Sequence, residues 1–306
     1  MPRGEGGAAV SFDVAAYMAE WIPAVDLALG RVLPAETAPP ETLHKAIRYS
    51  VFAGGKRLRP ILVIAGAEAV GGRLDDVMAT ACAVEMIHTY SLIHDDLPAM
   101  DNDDFRRGVP TNHKVFGEAL AILAGDALLT LAFRLLADNV PATSSGPRLR
   151  DVLVEIADAA GSSGMVGGQV ADIECDGKPA DAEIVDYIHT HKTAALIRAS
   201  IRGGAILSGA TPAQLDALGV VGGALGLAFQ IMDDILDVTA TTEELGKTAG
   251  KDQAQQKATY PAVHGIEASR RRAQALVAEA HAVLAPFGPR SQPLSELGAF
   301  MIDRRA

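Results

Sequence analysis

Cysteine is scarce: the chain has two, Cys82 and Cys175, in 306 residues. So few cannot form a disulfide framework, and they suit a reducing compartment, so a cytoplasmic location is expected. Positive charge is also in deficit. Against 38 Asp and Glu stand 27 Lys and Arg, a net charge of −11. General nucleic-acid binding needs surplus cations at the phosphates, so it is not expected. Long hydrophobic runs are missing too. The charge-free stretch from Ala217 to Met232 falls short of the ~20 residues a membrane span needs and is stopped by Asp233 and Asp234. The opening MPRGEGGAAV holds no apolar signal core. Neither secretion nor membrane insertion is expected. No run of alternating apolar and polar residues is long enough to suggest a sheet strand.

What the chain does have is helical periodicity. Apolar residues make up 49% and charged residues 21%, the profile of a soluble globular protein. From Ser11, a plausible N-cap, apolar residues recur at Val14, Met18, Trp21, Val25, Leu29 and Val32 in steps of four and three, the spacing of a core-facing helix. Similar patterns cover roughly 41–53, 58–70, 75–97, 117–138, 149–160, 181–208, 212–238 and 260–285. The fold class is therefore all-α. The breaks, among them Thr37-Ala38-Pro39-Pro40 and Gly71-Gly72, are short turns rather than linkers. They predict a single domain over residues 1–306, with a short flexible N-terminus over about 1–10.

Two aspartate clusters stand in similar surroundings, IHDDLPAMD and IMDDILD. In the second, Asp233 and Asp237 are four residues apart, about 40° around a helix, and can grip one cation. Asp234 lies beside them, and Gln230 precedes Asp233 by a turn. Alone, the cluster reads more readily as a solvated helix end with caps. In the first, Val77, Ala81, Val84, His88, Ser91 and Asp95 form one helix face that turns from apolar to polar. Asp101 would sit about 240° from Asp95 on an unbroken helix. Pro98 lacks an amide hydrogen and clashes with the preceding turn, so the helix must kink or end there and Asp101 can swing back. An acidic surface loop is the plain alternative. Hard carboxylate oxygens without Cys or His at ligand spacing favour Mg²⁺, which keeps waters and bridges carboxylates to substrate phosphates. The implied ligand is a phosphorylated or diphosphorylated small molecule.

Cations to meet it are local. Gly54-Gly55-Lys56-Arg57-Leu58-Arg59-Pro60 reads as a helix start, where backbone amides also favour anions. Arg106-Arg107 follows the first aspartate cluster, and Lys192, Lys247, Lys251 and Lys257 come later. The GSSGMVGG run at 161–168 lacks the Lys-Ser/Thr ending of a phosphate loop, so close helix packing is the better reading.

Taken in order, these blocks resemble the trans-isoprenyl diphosphate synthases, the polyprenyl synthetase family, and especially bacterial farnesyl diphosphate synthases. The likeness runs from GGKRLRP at 54–60, through CAVEMIHTYSLIHDDLPAMDNDDFRRGVPTNH, HKTAALIRA and FQIMDDILD, to KATYPAV at 257–263. The resemblance implies an isoprenoid-synthase fold of about ten or more helices around a deep central cavity, as a homodimer. It implies head-to-tail condensation of isopentenyl diphosphate with dimethylallyl or geranyl diphosphate. Asp95, Asp96, Asp101, Asp233, Asp234 and Asp237 would hold three Mg²⁺ on the allylic diphosphate. Arg106, Lys192 and Lys257 would contact that diphosphate, with Lys247 close by. Lys56, Arg59, His88 and Arg107 would hold the isopentenyl diphosphate, and Thr193 and Gln230 would turn oxygen dipoles toward the developing carbocation. Tyr90 and Ser91 occupy the place where such enzymes limit chain length. An aromatic there implies a fifteen-carbon farnesyl product, whereas MDNDD and PTNHKVFGE are also similar to plant geranylgeranyl synthases. The alternatives are therefore a geranylgeranyl synthase or a non-catalytic partner subunit.

Overall fold

The computed structural model describes residues 12–138, 146–178, 181–239 and 257–303. Helix α1 (Val14–Val32) starts at Asp13, whose carboxylate accepts the amides of Ala15 and Ala16. Asp13 is therefore the cap, and Ser11 lies outside the described residues. Met18, Val25 and Leu29 are buried as the spacing requires, whereas Val32 ends exposed. There follow α2 (Glu41–Val51), α3 (Leu58–Ala69), α4 (Met78–Asp95), α5 (Asn112–Phe116), α6 (Glu118–Asp138), α7 (Gly146–Ala160), α8 (Met165–Cys175) and α9 (Ala182–Ile188). The remaining helices are α10 (Ala195–Leu207), α11 (Pro212–Thr239), α12 (Tyr260–His264), α13 (Ile266–Leu284) and α14 (Gln292–Ile302). Among the described residues, eleven of these helices run to eleven residues or more. The chain is all-α, as its periodicity requires.

Three boundaries differ from the sequence reading. The 181–208 segment splits, because a π-helical turn over His189–Ala194 separates α9 from α10. The 260–285 segment breaks at Gly265, which takes φ +78. A two-residue hairpin pairs Phe105–Arg106 with Val109–Pro110 across Arg107 and Gly108, both at positive φ. That turn geometry matches the twist of paired strands, but strands so short leave no alternation to read.

Two apolar clusters share the interior. One gathers residues of α2, α4, α6 and α7, the other residues of α11, α13 and α14, and α1, α3 and α10 contribute to both. α4 lies along α6, α3 along α10, and α11 along α13. By length and composition α6 and α11 are apolar enough to cross a membrane. Here α6 packs Ala121, Ala124, Leu128, Ala132 and Leu136 inward, and α11 packs Leu218, Val221, Leu225, Ala228 and Ile235. The exposed apolar residues of α6 include Ile122 and Leu123. The layers leave the C-terminal ends of α4 and α11 opening onto one cavity of about 1110 Å³.

Candidate active site

The first acidic wall is built by the end of α4. The helix stops at Asp95, two residues short of the expected 97, and the chain folds back: the Asp101 amide donates to the Asp95 carbonyl at 2.8 Å, and the Asp103 amide to the Asp96 carbonyl at 3.2 Å. The Pro98 break therefore does what its chemistry requires, and Asp95 and Asp101 line the cavity together. Burial raises the pKa of Asp95, although Lys192 pulls against it. Asp96 behaves differently. It is 3% exposed and is the one member of the six aspartates that does not line this cavity. Its neighbour Asp95 is directed into the cavity, and one residue on a helix is a turn of about 100°. Arg106 holds the Asp96 carboxylate through Nε at 2.9 Å and through Nη2, and also reaches Asp103 at 3.1 Å. Burial pushes Asp96 up to about 6 against the pull of Arg106. The structure thus places Asp96 as an anchor for Arg106 rather than beside the other carboxylates.

The second wall is α11. Asp233, Asp234 and Asp237 all line the cavity, but their partners differ. Asp237 is 3% exposed, and neither carboxylate oxygen has a hydrogen-bond partner. A buried carboxylate left that way costs several kcal/mol, so a cation is the natural complement. Asp234 is satisfied. Its Oδ1 accepts Gln230 Nε2 at 2.9 Å, its Oδ2 accepts the Tyr260 amide at 2.8 Å, and His189 Nε2 lies 3.1 Å from that same oxygen. Thr193 Oγ1 donates to Gln230 Oε1 at 2.7 Å. Thr193 and Gln230 both face the cavity.

Between the walls stand cations. Lys192, carried on the π-helical turn, pairs with Asp172 of α8. Burial works against its charge, but Asp172 and Asp95 more than restore it, so its pKa is raised. Lys257 donates to Asp101 at 2.8 Å, tying the chain after residue 256 to the first wall. Arg59, His88, Lys56 and Arg107 line the same cavity. Burial pulls the Arg59 guanidinium down to about 10, and its Nε is a buried donor without a partner. Burial, reinforced by Arg59 and Arg107, holds the His88 imidazole well below its ordinary pKa. Lys56 lies over the Phe300 ring at 5.7 Å. Arg107 donates to the Gly54 carbonyl, and a Cβ on Gly55 would fall 2.5 Å from Arg107 Cζ. Gly55 also takes φ +116, so this glycine is explained twice, by its backbone and by the arginine seated on it. Lys247 and Lys251 lie outside the described residues.

Arg57, the middle of GGKRLRP, does not join them. It turns inward to Asp26 at 2.7 Å and Glu85 at 2.9 Å, almost wholly buried. Its φ of 48 ends the loop and directs Lys56 and Arg59 elsewhere.

The rest of the cavity is apolar: Leu92, Leu97, Ile122, Met165, Val166, Val170, Ile173 and Phe229 line it. Tyr90 and Ser91 are on this surface, one to two helical turns below Asp95. Tyr90 is 6% exposed and edge-on to His94 at 5.7 Å, and burial with Asp95 nearby pushes its phenol up to about 12.

Sequence reading missed Asp172, Gln169, Asp103 and His189, all of which face this cavity. Asp172 and Gln169 follow the glycines of GSSGMVGG, and the geometry shows why they are close. A Cβ on Gly168 would lie 2.2 Å from the Lys192 backbone nitrogen, so α8 and the π-helical turn meet backbone to backbone. Gly168→Ala should cost about 1–3 kcal/mol of stability, because backbone cannot yield as a flexible side chain does. A denaturant midpoint equal to the parent's would reject that contact.

Among the described residues no three His, Cys, Asp or Glu side chains converge closely enough to hold a metal by themselves. Mg²⁺ needs only one or two carboxylates with waters and phosphate oxygens completing an octahedron. The unpartnered Asp237 oxygens, with Asp95, Asp101 and Asp233 on the same cavity, fit that demand.

Comparison with known proteins adds three kinds of finding. The family model described as polyprenyl synthetase matches residues 40–283. Over 298 residues the chain is 49% identical to a dimethylallyltranstransferase of Fischerella ambigua, covering 96% of this chain and 84% of that one. It is 46% identical to a chloroplastic geranylgeranyl pyrophosphate synthase of Capsicum annuum, covering 96% and 79%. Among solved structures, a geranyltransferase from Helicobacter pylori complexed with magnesium and isoprenyl diphosphate superposes with a TM-score of 0.82 at 34% identity, covering 97% and 98%.

Proposed function

The chain belongs to the polyprenyl synthetase family, and from that premise we propose that it is a Mg²⁺-dependent trans-prenyltransferase joining isopentenyl diphosphate to dimethylallyl and geranyl diphosphate, with farnesyl diphosphate as product. The observation that carries this reading is the meeting of Asp95, Asp101, Asp233 and Asp237 with Lys192 and Lys257 at the polar end of one apolar cavity. The magnesium held by the Helicobacter pylori relative supports the choice of metal. When bound, Mg²⁺ would draw charge from the allylic diphosphate as its C–O bond breaks.

In this reading Asp95, Asp101, Asp233 and Asp237 hold the metals, three per site. Lys192, Lys257 and Arg106 take charge from the leaving diphosphate at fixed positions, which lowers the barrier without reorganisation. Lys247 belongs to the same group. Lys56, Arg59, His88 and Arg107 seat the isopentenyl diphosphate so that its double bond lies against the allylic carbon, making the attack effectively intramolecular. The apolar walls keep water from the carbocation. Proton loss from the condensed cation yields the new alkene, with the departing diphosphate as base.

Product length is read from Tyr90, a buried aromatic that lines the cavity and in this reading would form its floor. A second reading, geranylgeranyl diphosphate, is favoured by the name of the Capsicum annuum relative. Incubation with Mg²⁺, dimethylallyl diphosphate and labelled isopentenyl diphosphate separates the possibilities. Fifteen-carbon diphosphate is expected; twenty-carbon product supports the second reading, and no chain extension rejects both. Tyr90→Ala should then move the main product to twenty carbons or longer, and an unchanged distribution would remove Tyr90 from the floor. The proposal includes a homodimer in the cytoplasm. Its support is the exposure of Leu123 at 53% on α6, together with unpaired Cys82 and Cys175. Sedimentation at micromolar concentration tests the dimer.

A further inference from the structure

Resting on the prenyltransferase reading, we propose that Asp234 is not a metal ligand but a positioning residue that sets the direction of the Thr193 hydroxyl through Gln230. The observation is a contrast within one helix. Asp237 is buried with both oxygens unpartnered, whereas Asp234, equally buried, accepts from Gln230 of α11 and from the Tyr260 amide at the start of α12, and His189 of the π-helical turn brings Nε2 within 3.1 Å.

The polarity of this chain is forced. A carboxylate can only accept, so Gln230 must present its NH₂ to Asp234. Its carbonyl oxygen therefore faces Thr193, and the Thr193 hydroxyl must donate to it. Both hydroxyl lone pairs are then left for the cavity that Thr193 lines. A donor already committed to Gln230 cannot turn its proton toward a developing cation, so the oxygen end of the dipole faces the reacting carbon before the reaction begins. Such fixed dipoles lower a barrier without reorganisation. The same carboxylate also joins the turn carrying Lys192 to the segment carrying Lys257.

Asp234→Asn tests the idea with almost no change of shape. The Tyr260 amide keeps the Asn oxygen, so the new NH₂ faces Gln230, whose amide must reverse and donate to Thr193. The Thr193 proton is then turned into the cavity. Expected are a kcat lowered 10- to 100-fold with KM within threefold. Calorimetric titration of Mg²⁺ with inorganic diphosphate should stay within twofold of the parent, whereas Asp237→Asn weakens it at least tenfold. Thr193→Val combined with Asp234→Asn should be no slower than Thr193→Val alone, because the two act through one hydroxyl. A tenfold or greater loss of Mg²⁺-dependent diphosphate binding in Asp234→Asn, or losses that multiply in the double variant, would overturn the proposal. Should Asp234→Asn not fold, Gln230→Leu breaks the same chain one link later and must show the same non-additivity with Thr193→Val. A parent protein that extends no allylic diphosphate overturns the activity reading itself, while the Mg²⁺ titration still decides the role of Asp234.

Discussion

Asp95→Asn is expected to lower kcat by roughly a thousandfold or more, with melting behaviour close to that of the parent. Removing a single fixed group that stabilises transition-state charge costs about 10²–10³ in rate, and in the proposed reading the lost carboxylate would also help to place a divalent cation. Stability should change little or rise slightly. Burial already lifts the pKa of Asp95, so its ionised form is a cost to the fold that a neutral amide removes. The sign follows directly: a carboxylate whose folded pKa is raised is penalised as pH rises through that pKa. A raised Mg²⁺ requirement should accompany the rate loss, and excess Mg²⁺ should restore only part of it. Turnover within tenfold of the parent would remove Asp95 from the metal wall.

The largest effect on stability is expected at Arg57. Its guanidinium donates to Glu85, to Asp26 and to the Val51 carbonyl at 2.7 Å, with side-chain exposures of 2% and 1% for Arg57 and Glu85. Removing one partner of such a pair leaves an uncompensated buried charge, a loss of about 3–5 kcal/mol. Arg57→Leu should therefore shift the denaturant midpoint strongly. The double variant Arg57→Leu/Glu85→Leu should recover much of the loss, because a buried ion pair replaced by apolar groups is often near neutral. A single variant within about 1 kcal/mol of the parent would show that the charge is reached by water. This prediction separates Arg57 from Lys56 and Arg59 on either side of it, whose replacement should affect substrate binding far more than folding.

How much of the site was legible depended on whether a residue's role follows from its neighbours in sequence. Asp101 could be placed beside Asp95 because Pro98 must end the helix whatever surrounds it, and the chain does turn back there. The close packing of the 161–168 glycines could be anticipated because little else suits such a run, and Gly168 does meet the Lys192 backbone. Asp96 was grouped with Asp95 through the family resemblance, yet a step of about 100° around α4 sends it to Arg106. Asp172 gave no signal, since its partner Lys192 is 20 residues away and reached only through the packing of α8. The π-helical turn was invisible for a related reason: its sequence, HTHKTA, reads like any helix interior, and the partners of His189, Lys192 and Thr193 all come from other elements.

Periodicity and local breaks were enough to determine an all-α chain, because burying an apolar stripe every 3.6 residues is a demand that each segment makes on its own. The residue types were enough to imply a divalent cation and a phosphorylated or diphosphorylated ligand, because few other ligands suit so many carboxylates and cations together. Which carboxylate stays open and which is consumed in holding the fold was decided only by tertiary structure. Asp234 and Asp237 are three residues apart on one helix and equally buried, but donors from α12 and the π-helical turn reach only the first. A hydrogen bond depends on what arrives within about 3 Å from elsewhere in the chain, and that is a property of packing rather than of the string of residues.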